Sequence, residues 1–244
     1  MSSVQQHIEP EVPTQAPPWS RLVQLAAGAC LVLAALTNGL SQYVGYLVIG
    51  DLDFSEQIRW GAEHAGFQGI EQGFLVVSAL FMPLGLLGVA QVTRWNARRL
   101  TLVAVPLVLW GMWGFHNVIA MGYVSGTVAP AALSVDDAVR LNDAMVSEPG
   151  VVVLALIPHL IGSFFGVLLL AIAAWRSGAF PKAASVLVMA FLVWDFFLPP
   201  VGPIEAHLLL TVGWTWWGIT LMRLPNAAWR GQPIPTRGGE SGAY

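Results

Sequence analysis

The stretch from Trp60 to Phe74, WGAEHAGFQGIEQGF, joins a polar region to a segment that is wholly apolar from its last residue onward. On a helix, His64, Gln68 and Glu71 or Gln72 follow the spacing i, i+4 and i+7 or i+8 of a single face. The polarity therefore forms a stripe rather than a ring. Because a polar stripe inside an apolar environment needs polar partners, the stretch predicts a helix that packs against other polar-bearing helices.

The composition indicates a membrane protein. Of the 244 residues, 56% are hydrophobic and 10% are charged, and the mean hydropathy is +0.65, whereas a soluble domain carries about 25% charged residues. We therefore predict an all-α, polytopic membrane bundle in contact with the lipid bilayer. Cys30 is the one cysteine, so no intrachain disulfide can form. No Gly-rich phosphate loop is present, and no nucleic-acid partner is expected.

Long apolar segments divide the chain into a membrane domain, residues 21–224, and two tails. The six predicted transmembrane helices cover residues 22–49, 64–90, 100–123, 151–175, 183–198 and 204–221. The first segment is too long for a signal-peptide core of about 7 to 15 residues, so it is read as a retained helix. Residues 1–20 and 225–244 are rich in Pro with Gln and Glu, or with Gly and Arg, and predict disordered tails.

Two of the connections carry their own signals. Residues 50–60 form a short acidic link before the second helix. In the longest loop, residues 124–150, Ser134 followed by Asp137 has the form of a capping signal. Apolar residues then recur at helical spacing, which predicts a short surface helix over the bundle.

The basic residues predict the orientation of the bundle. With six spans, nine of the eleven Lys and Arg residues fall on one side of the membrane and two, Arg59 and Arg140, on the other. The nine are Arg21, Arg94, Arg98, Arg99, Arg176, Lys182, Arg223, Arg230 and Arg237. Because cytoplasmic loops are enriched in Lys and Arg, both termini are predicted to be cytoplasmic.

In that orientation, polar residues of different helices reach similar depths. At 1.5 Å per residue, Glu71 and His116 lie about 10 Å inside the outer ends of their helices, and His159 about 12 Å. Asp195 and His207 lie about 5 Å inside by the same measure. Since a charge at the bilayer centre costs at least about 2.5 kcal/mol, such residues are expected to face a shared interior. The sequence thus predicts an outward-facing polar pocket.

The predicted pocket contains three classes of residue. Glu71, His116, His159 and Asp195 are the candidate catalytic groups, because a carboxylate beside an imidazole provides a proton donor and an acceptor. The candidate metal ligands are the imidazoles of His116, His159 and His207. The candidate ligand-binding residues, polar side chains on the predicted helices, are His64, Gln68, Asn38, Gln42, Asn117, Ser163 and His207.

Several functions fit such a pocket, and the sequence leaves them open. It could bind or act on a transition metal, a haem held between histidines, or a small lipophilic molecule. A carrier with alternating access and a structural subunit with a hydrogen-bonded core are the alternatives. A rhodopsin-like pigment is not expected, because the only lysine, Lys182, lies in a cytoplasmic turn rather than within a helix.

The turn WRSGAFPKAASVLVM, within residues 151–198, carries one family resemblance. A long apolar helix that ends in R-S-G-x-x-P-K and runs into another helix resembles six-helix bacterial integral membrane families of unknown function. The resemblance implies six helices and a bacterial plasma (inner) membrane. It implies no catalytic residues, so the histidines and Glu71 are proposed from the residues alone.

Overall fold

The computed structural model describes residues 19–49, 52–198 and 205–231, and every regular element within these ranges is a helix. The α-helices are α1 (Trp19–Ile49), α2 (Phe54–Glu63), α3 (Ala65–Asn96), α4 (Arg98–Tyr123), α5 (Ala129–Ala132), α6 (Val135–Ser147), α7 (Pro149–Val151), α8 (Phe164–Ser177), α9 (Lys182–Phe197), α10 (His207–Arg223) and α11 (Asn226–Trp229). Three π-helical segments connect some of them: π1 (Val124–Val128), π2 (Val152–Leu156) and π3 (Pro158–Ser163).

Four helical stretches are long and apolar enough to cross a membrane. They are Ser20–Leu47, Ala65–Asn96, Arg98–Ala132 and Pro149–Ser177. The all-helical class predicted from composition is confirmed for the described residues, and four of the six predicted spans are helices that could cross a membrane. The other two predicted spans correspond to α9 and α10, which are 16 and 17 residues long.

The long helices form a closed ring. Around it, α1 packs against α3, α3 against α4, α4 against π3 and α8, α8 against α9, and α9 against α10, which returns to α1. At one end of the ring the interior is solid, because Leu31, Leu86, Leu170, Trp217 and Leu221 are almost fully buried there. The opposite end, where α1, α4 and α9 finish and α3 and α10 begin, encloses the cavity described below.

Glycines allow the backbone of α4 to approach the backbones of π3 and α8 closely. A Cβ atom at Gly114 would meet the backbone of His159, and one at Gly111 would meet the backbone of Ser163. On the other side, a Cβ at Gly166 would lie 2.5 Å from the backbone nitrogen of Val108. Small residues allow such close packing between apolar helices. This contact fixes the position of His159 and Ser163 relative to α4.

The acidic link expected at residues 50–60 is in fact mostly helical. α2 begins with a capping box, in which the Asp53 carboxylate accepts the Glu56 N–H at 2.8 Å and the Glu56 carboxylate accepts the Asp53 N–H at 3.0 Å. Its buried residue Ile58 packs with Ala129 and Ala138. The sequence predicted a short link here and no separate helix, because α2 is short and mainly polar and apolar periodicity does not reveal it.

The tail predicted from residue 225 also begins with ordered structure. Within α11, Trp229 is 7% exposed, and its carbonyl accepts a hydrogen bond of 3.1 Å from the Gln91 side chain. Residues 225–231 are therefore folded onto the bundle, which corrects the predicted boundary. The remainder of that tail, residues 232–244, and residues 1–18 of the other tail lie outside the described residues.

Two local predictions are confirmed. The Ser134 hydroxyl accepts the Asp137 N–H at 3.1 Å and so caps α6, the predicted surface helix. The pKa of the Asp137 carboxyl is lowered, because the Ser134 hydroxyl and then the Arg140 guanidinium contact its ionised form. At the end of α8, Gly178 has φ of 69°, a left-handed conformation that glycine adopts readily. It ends the helix within the R-S-G-x-x-P-K turn.

Candidate functional site

A cavity of about 330 Å³ lies at the centre of one end of the helix ring. All six long ring helices contribute to its wall. The apolar part of the wall includes Leu75, Met82, Met112, Phe115, Ile119, Val167, Phe191, Leu192, Phe196 and Leu210. The polar part consists of Asn38, Gln42, Gln72, His159, Ser163, Asp195, His207 and Trp214.

Buried polar atoms in this wall lack partners. Asn38 is 3% exposed and Trp214 is 2% exposed. Within the described residues, the Asn38 Oδ1, the Gln72 Oε1 and the Trp214 indole nitrogen have no hydrogen-bond partner. Buried polar groups are paired in most proteins, because an unpaired one costs about 1–3 kcal/mol. The residues of the cavity wall therefore include two acceptors and one donor that have no partner within the described residues.

His159 and Ser163 form a polar pair one turn apart. The Ser163 Oγ lies 3.4 Å from the His159 Nδ1, and the His159 ring stacks on Phe115 with 5.2 Å between centroids. The close contact between π3 and α4 holds the backbones of both residues beside the cavity. This pair can exchange a hydrogen bond with a bound molecule.

Asp195, Glu205 and His207 form a second polar group, where α9 ends and α10 begins. The His207 Nδ1 lies 2.6 Å from the Glu205 Oε1 and 3.8 Å from the Asp195 Oδ1. The His207 N–H donates to the Glu205 Oε2 at 2.7 Å, so this carboxylate also stabilises the start of α10. The His207 ring contacts Phe191 with 4.9 Å between centroids. The three side chains can hold a proton or a cation.

Glu71 lies beside the cavity, not in its wall. Its Oε1 accepts a hydrogen bond of 3.3 Å from the buried hydroxyl of Ser41, and it approaches Gly45 of α1. Its neighbour Gln72 lines the cavity instead. Gln68 lies between Gly61 of α2 and Gly126 of π1. Both predicted residues thus connect α3 to its neighbours at the end of the ring that holds the cavity.

Three predicted site residues lie away from the cavity. His116 is exposed on the outside of the ring, in a groove with Val76, Leu80 and Tyr123. Asn117 lines a separate groove with Trp113 and Leu154. His64 is not part of the polar stripe of α3, because the helix is interrupted at this residue, which has φ −122° and ψ 42°. Its ring stacks on Trp60.

The three histidines predicted as metal ligands do not lie together in the structure. Within the described part of the chain, one group of three metal-ligating side chains has its ligand atoms within 4.8 Å of one another, namely Asp195, Glu205 and His207. His207 was predicted as a ligand, but His116 faces outward. His159 lines the cavity without belonging to that group.

The sequence did not single out Glu205 or Trp214 as site residues. Trp214 lies on the same face of α10 as His207 and Leu210, at i+7 and i+3, so the helical spacing from His207 could have identified it. Glu205 precedes the helix, and its role depends on a turn that spacing does not predict. Gly122 also lines the cavity, and a Cβ built there meets no atom within 4 Å.

Comparison of the chain with protein-family models, with curated proteins and with solved structures gives no match.

Proposed function

We propose that this protein is a multi-pass membrane protein that binds a small lipophilic molecule in the central cavity. The observation that carries the proposal is the combination of a largely apolar and aromatic wall with buried polar atoms that have no partner. Small-molecule sites have this character, with a few polar groups that orient the ligand, and their volumes begin at about 300 Å³. The cavity, at about 330 Å³, falls at the lower end of that range.

The unpaired atoms define the chemical class of the ligand. The Asn38 and Gln72 oxygens need a donor, and the Trp214 indole N–H needs an acceptor. A hydroxyl or an amide offers both. Because the rest of the wall is formed by aliphatic, methionine and aromatic side chains, the remainder of the ligand should be apolar. The proposed ligand is an apolar molecule with one hydroxyl or amide end.

We further propose six spans with both termini in the cytoplasm, and a bacterial plasma membrane. α9 and α10 would extend about 24 and 26 Å at 1.5 Å per residue, close to the hydrocarbon thickness of about 30 Å. Both pack in the same ring as the four longer spans. The excess of basic residues at the solid end of the ring supports its cytoplasmic placement, and the cavity then faces outward.

The proposal is tested by extracting small molecules from the detergent-purified full-length chain and identifying them by mass spectrometry. Gly122→Leu should place a side chain in the cavity, where open space surrounds the Cβ position. Gly73→Leu is the matched control, because Gly73 also has no atom near its Cβ position but does not line the cavity. We expect one lipophilic species at near-stoichiometric amount in the wild type and Gly73→Leu, and its loss in Gly122→Leu.

Two results would contradict the proposal. One is a purified wild type that contains no enriched molecule beyond bulk lipid and detergent. The other is equal retention by both glycine variants with unchanged elution in detergent. Either result would favour a bundle whose polar interior is structural.

A further inference from the structure

We propose that Asp195, Glu205 and His207 bind one divalent transition-metal ion in the wall of the central cavity. This goes beyond the proposed lipophilic ligand, and neither proposal requires the other. The three side chains come from two elements, the end of α9 and the start of α10, and their ligand atoms lie within 4.8 Å of one another. Metal–ligand bonds of about 2.0–2.2 Å would require only small side-chain movements to join them.

The charge of the group needs compensation. Two carboxylates with a neutral imidazole carry a formal charge of −2 beside a largely apolar cavity. Within the part of the chain that the structure describes, no Lys or Arg side chain forms an ion pair with Asp195 or Glu205. Protonation of His207 would compensate half of this charge, whereas a divalent ion would compensate all of it.

Metal binding would replace one hydrogen bond of the group, the one between the His207 Nδ1 and the Glu205 Oε1. Glu205 is paired with His207 through both of its oxygens. The Asp195 side chain, in contrast, is 32% exposed, its Oδ1 lies 3.8 Å from the His207 Nδ1, and the described residues offer it no hydrogen bond. A cation between the two carboxylates would give the Asp195 oxygen the partner that it lacks.

A second, independent observation points to a bound group at this cavity. Asn38, on α1, is 3% exposed, and its Oδ1 has no partner among the described residues. It lines the same cavity as Asp195 and His207. A neutral carbonyl oxygen accepts hydrogen bonds or binds cations. Asn38 is therefore available as a further oxygen ligand, directly or through a water molecule.

The ligand types indicate which ions would bind. Imidazole favours Zn²⁺, Fe²⁺ and similar transition ions, whereas carboxylates also accept Mn²⁺ and Mg²⁺. A mixed set of two carboxylates and one imidazole should bind Zn²⁺ more tightly than Mn²⁺, following the general affinity order, and Mg²⁺ most weakly. With three protein ligands, at least one coordination position would remain open toward the cavity.

The test is calorimetric titration of Zn²⁺ and Mn²⁺ into the full-length chain, purified in detergent and freed of metal with EDTA. We expect one Zn²⁺ per chain, with weaker binding of Mn²⁺. Glu205→Gln, Asp195→Asn and His207→Gln should each weaken Zn²⁺ binding by at least about tenfold, since even the loss of groups that only orient ligands costs about 10–100-fold. His116→Gln is the matched control, because His116 is exposed on the outside of the ring and does not belong to the group.

A measurement on the wild type keeps the proposal falsifiable if a variant does not fold. Zn²⁺ should raise the melting temperature of the metal-free wild type, and EDTA should reverse the increase. The proposal is wrong if the wild type shows neither one-to-one binding nor this stabilisation, or if His116→Gln weakens Zn²⁺ binding as much as the three ligand variants do. Because the titration needs no lipophilic molecule, its failure would leave the ligand proposal intact.

Discussion

Glu205 contacts His207 through both carboxylate oxygens: Oε1 lies 2.6 Å from the imidazole Nδ1, and Oε2 accepts the backbone N–H at 2.7 Å. One side chain thereby stabilises the start of α10 and fixes the imidazole against the cavity. Glu205 precedes Ala206, the N-cap of α10, so its carboxylate pairs the N–H of the first helical residue, which has no partner within the helix. The two roles can be separated, because an amide can accept from the backbone without carrying charge.

Glu205→Ala should therefore lower the stability of the bundle by about 1 kcal/mol, the usual net contribution of one hydrogen bond. Glu205→Gln should cost less, since its carbonyl oxygen can still accept the His207 N–H. Thermal unfolding in detergent, in the presence of EDTA, measures the difference. Equal losses in the two variants would show that the charge of Glu205, and not its hydrogen bond to the His207 N–H, stabilises this end of α10.

The positions of two histidines predict different effects of the same substitution. His159 lines the cavity beside Ser163, whereas His116 is exposed on the outside of the ring. His159→Gln should reduce the amount of lipophilic molecule that the protein retains, because the loss of one hydrogen bond weakens binding by about 3–10-fold. His116→Gln should leave retention unchanged. Mass spectrometry of the two purified variants decides, and a loss confined to His116→Gln would contradict the assignment of the cavity as the site.

These histidines also show where prediction from sequence stops. The existence and extent of the long helices follow from apolar length, because a helix is the structure that satisfies its own backbone in lipid. The direction in which a side chain points does not follow from apolar length, because both the lipid side and the interior side of such a helix are apolar. Met112, Phe115 and Ile119 of α4 face the cavity, whereas His116, the residue after Phe115, faces outward. Only packing against the neighbouring helices distinguishes these faces.

Local irregularities further limit what spacing can predict. Depth and facing for the fourth predicted span were calculated for a regular α-helix, but π2 and π3 occupy residues 152–156 and 158–163. Each π segment adds residues to a turn and rotates the side chains that follow it. In addition, α2 is recognisable in the sequence only through its D-x-x-E cap, Asp53 to Glu56, because its burial depends on α5 and α6.

The Asp53 cap predicts a pH dependence for α2. Hydrogen bonds from the Glu56 N–H and the Ser55 hydroxyl lower the pKa of the Asp53 carboxyl below its ordinary value. A carboxyl whose pKa is lowered in the folded state stabilises that state above its unfolded pKa of about 3.9, and the stabilisation is lost as the pH falls through the folded pKa. Amides of α2 should therefore lose protection against hydrogen exchange under acid conditions.

Hydrogen exchange followed by mass spectrometry, corrected for the intrinsic pH dependence, tests this expectation. Asp53→Asn is the matched control, because its side chain still accepts from the Glu56 N–H but does not titrate. The wild type should approach the variant in α2 protection at low pH and exceed it near neutral pH. An identical pH profile in both proteins would show that the cap charge does not stabilise α2.

The proposed orientation predicts which exposed positions an impermeant thiol reagent can reach in intact cells. In a Cys30→Ser background, Asp143→Cys on α6 should be labelled, whereas Arg176→Cys at the end of α8 should be labelled only after the membrane is opened. Both positions are exposed in the structure, so burial does not bias the comparison. The reverse pattern would place the cavity on the cytoplasmic side.

The last prediction concerns the boundary of the folded domain, which the structure extends beyond residue 225. Trp229 is 7% exposed, α11 contacts α1 and α3, and Gln91 donates to the Trp229 carbonyl at 3.1 Å. Removal of a buried Trp side chain costs about 3–5 kcal/mol. Trp229→Ala should therefore lower the melting temperature of the purified bundle markedly, as should a stop codon after Pro225.

A stop codon after Gly231 is the matched control for the shorter truncation, because it retains α11 and Gly231. The φ of Gly231 is 72°, and a Cβ there would collide with the Trp95 ring, so this glycine belongs to the folded contact. We expect this truncated protein to melt like the full-length chain. If truncation after Gly231 destabilises the bundle as much as truncation after Pro225, residues 232–244 contribute to the fold and the domain boundary lies beyond Gly231.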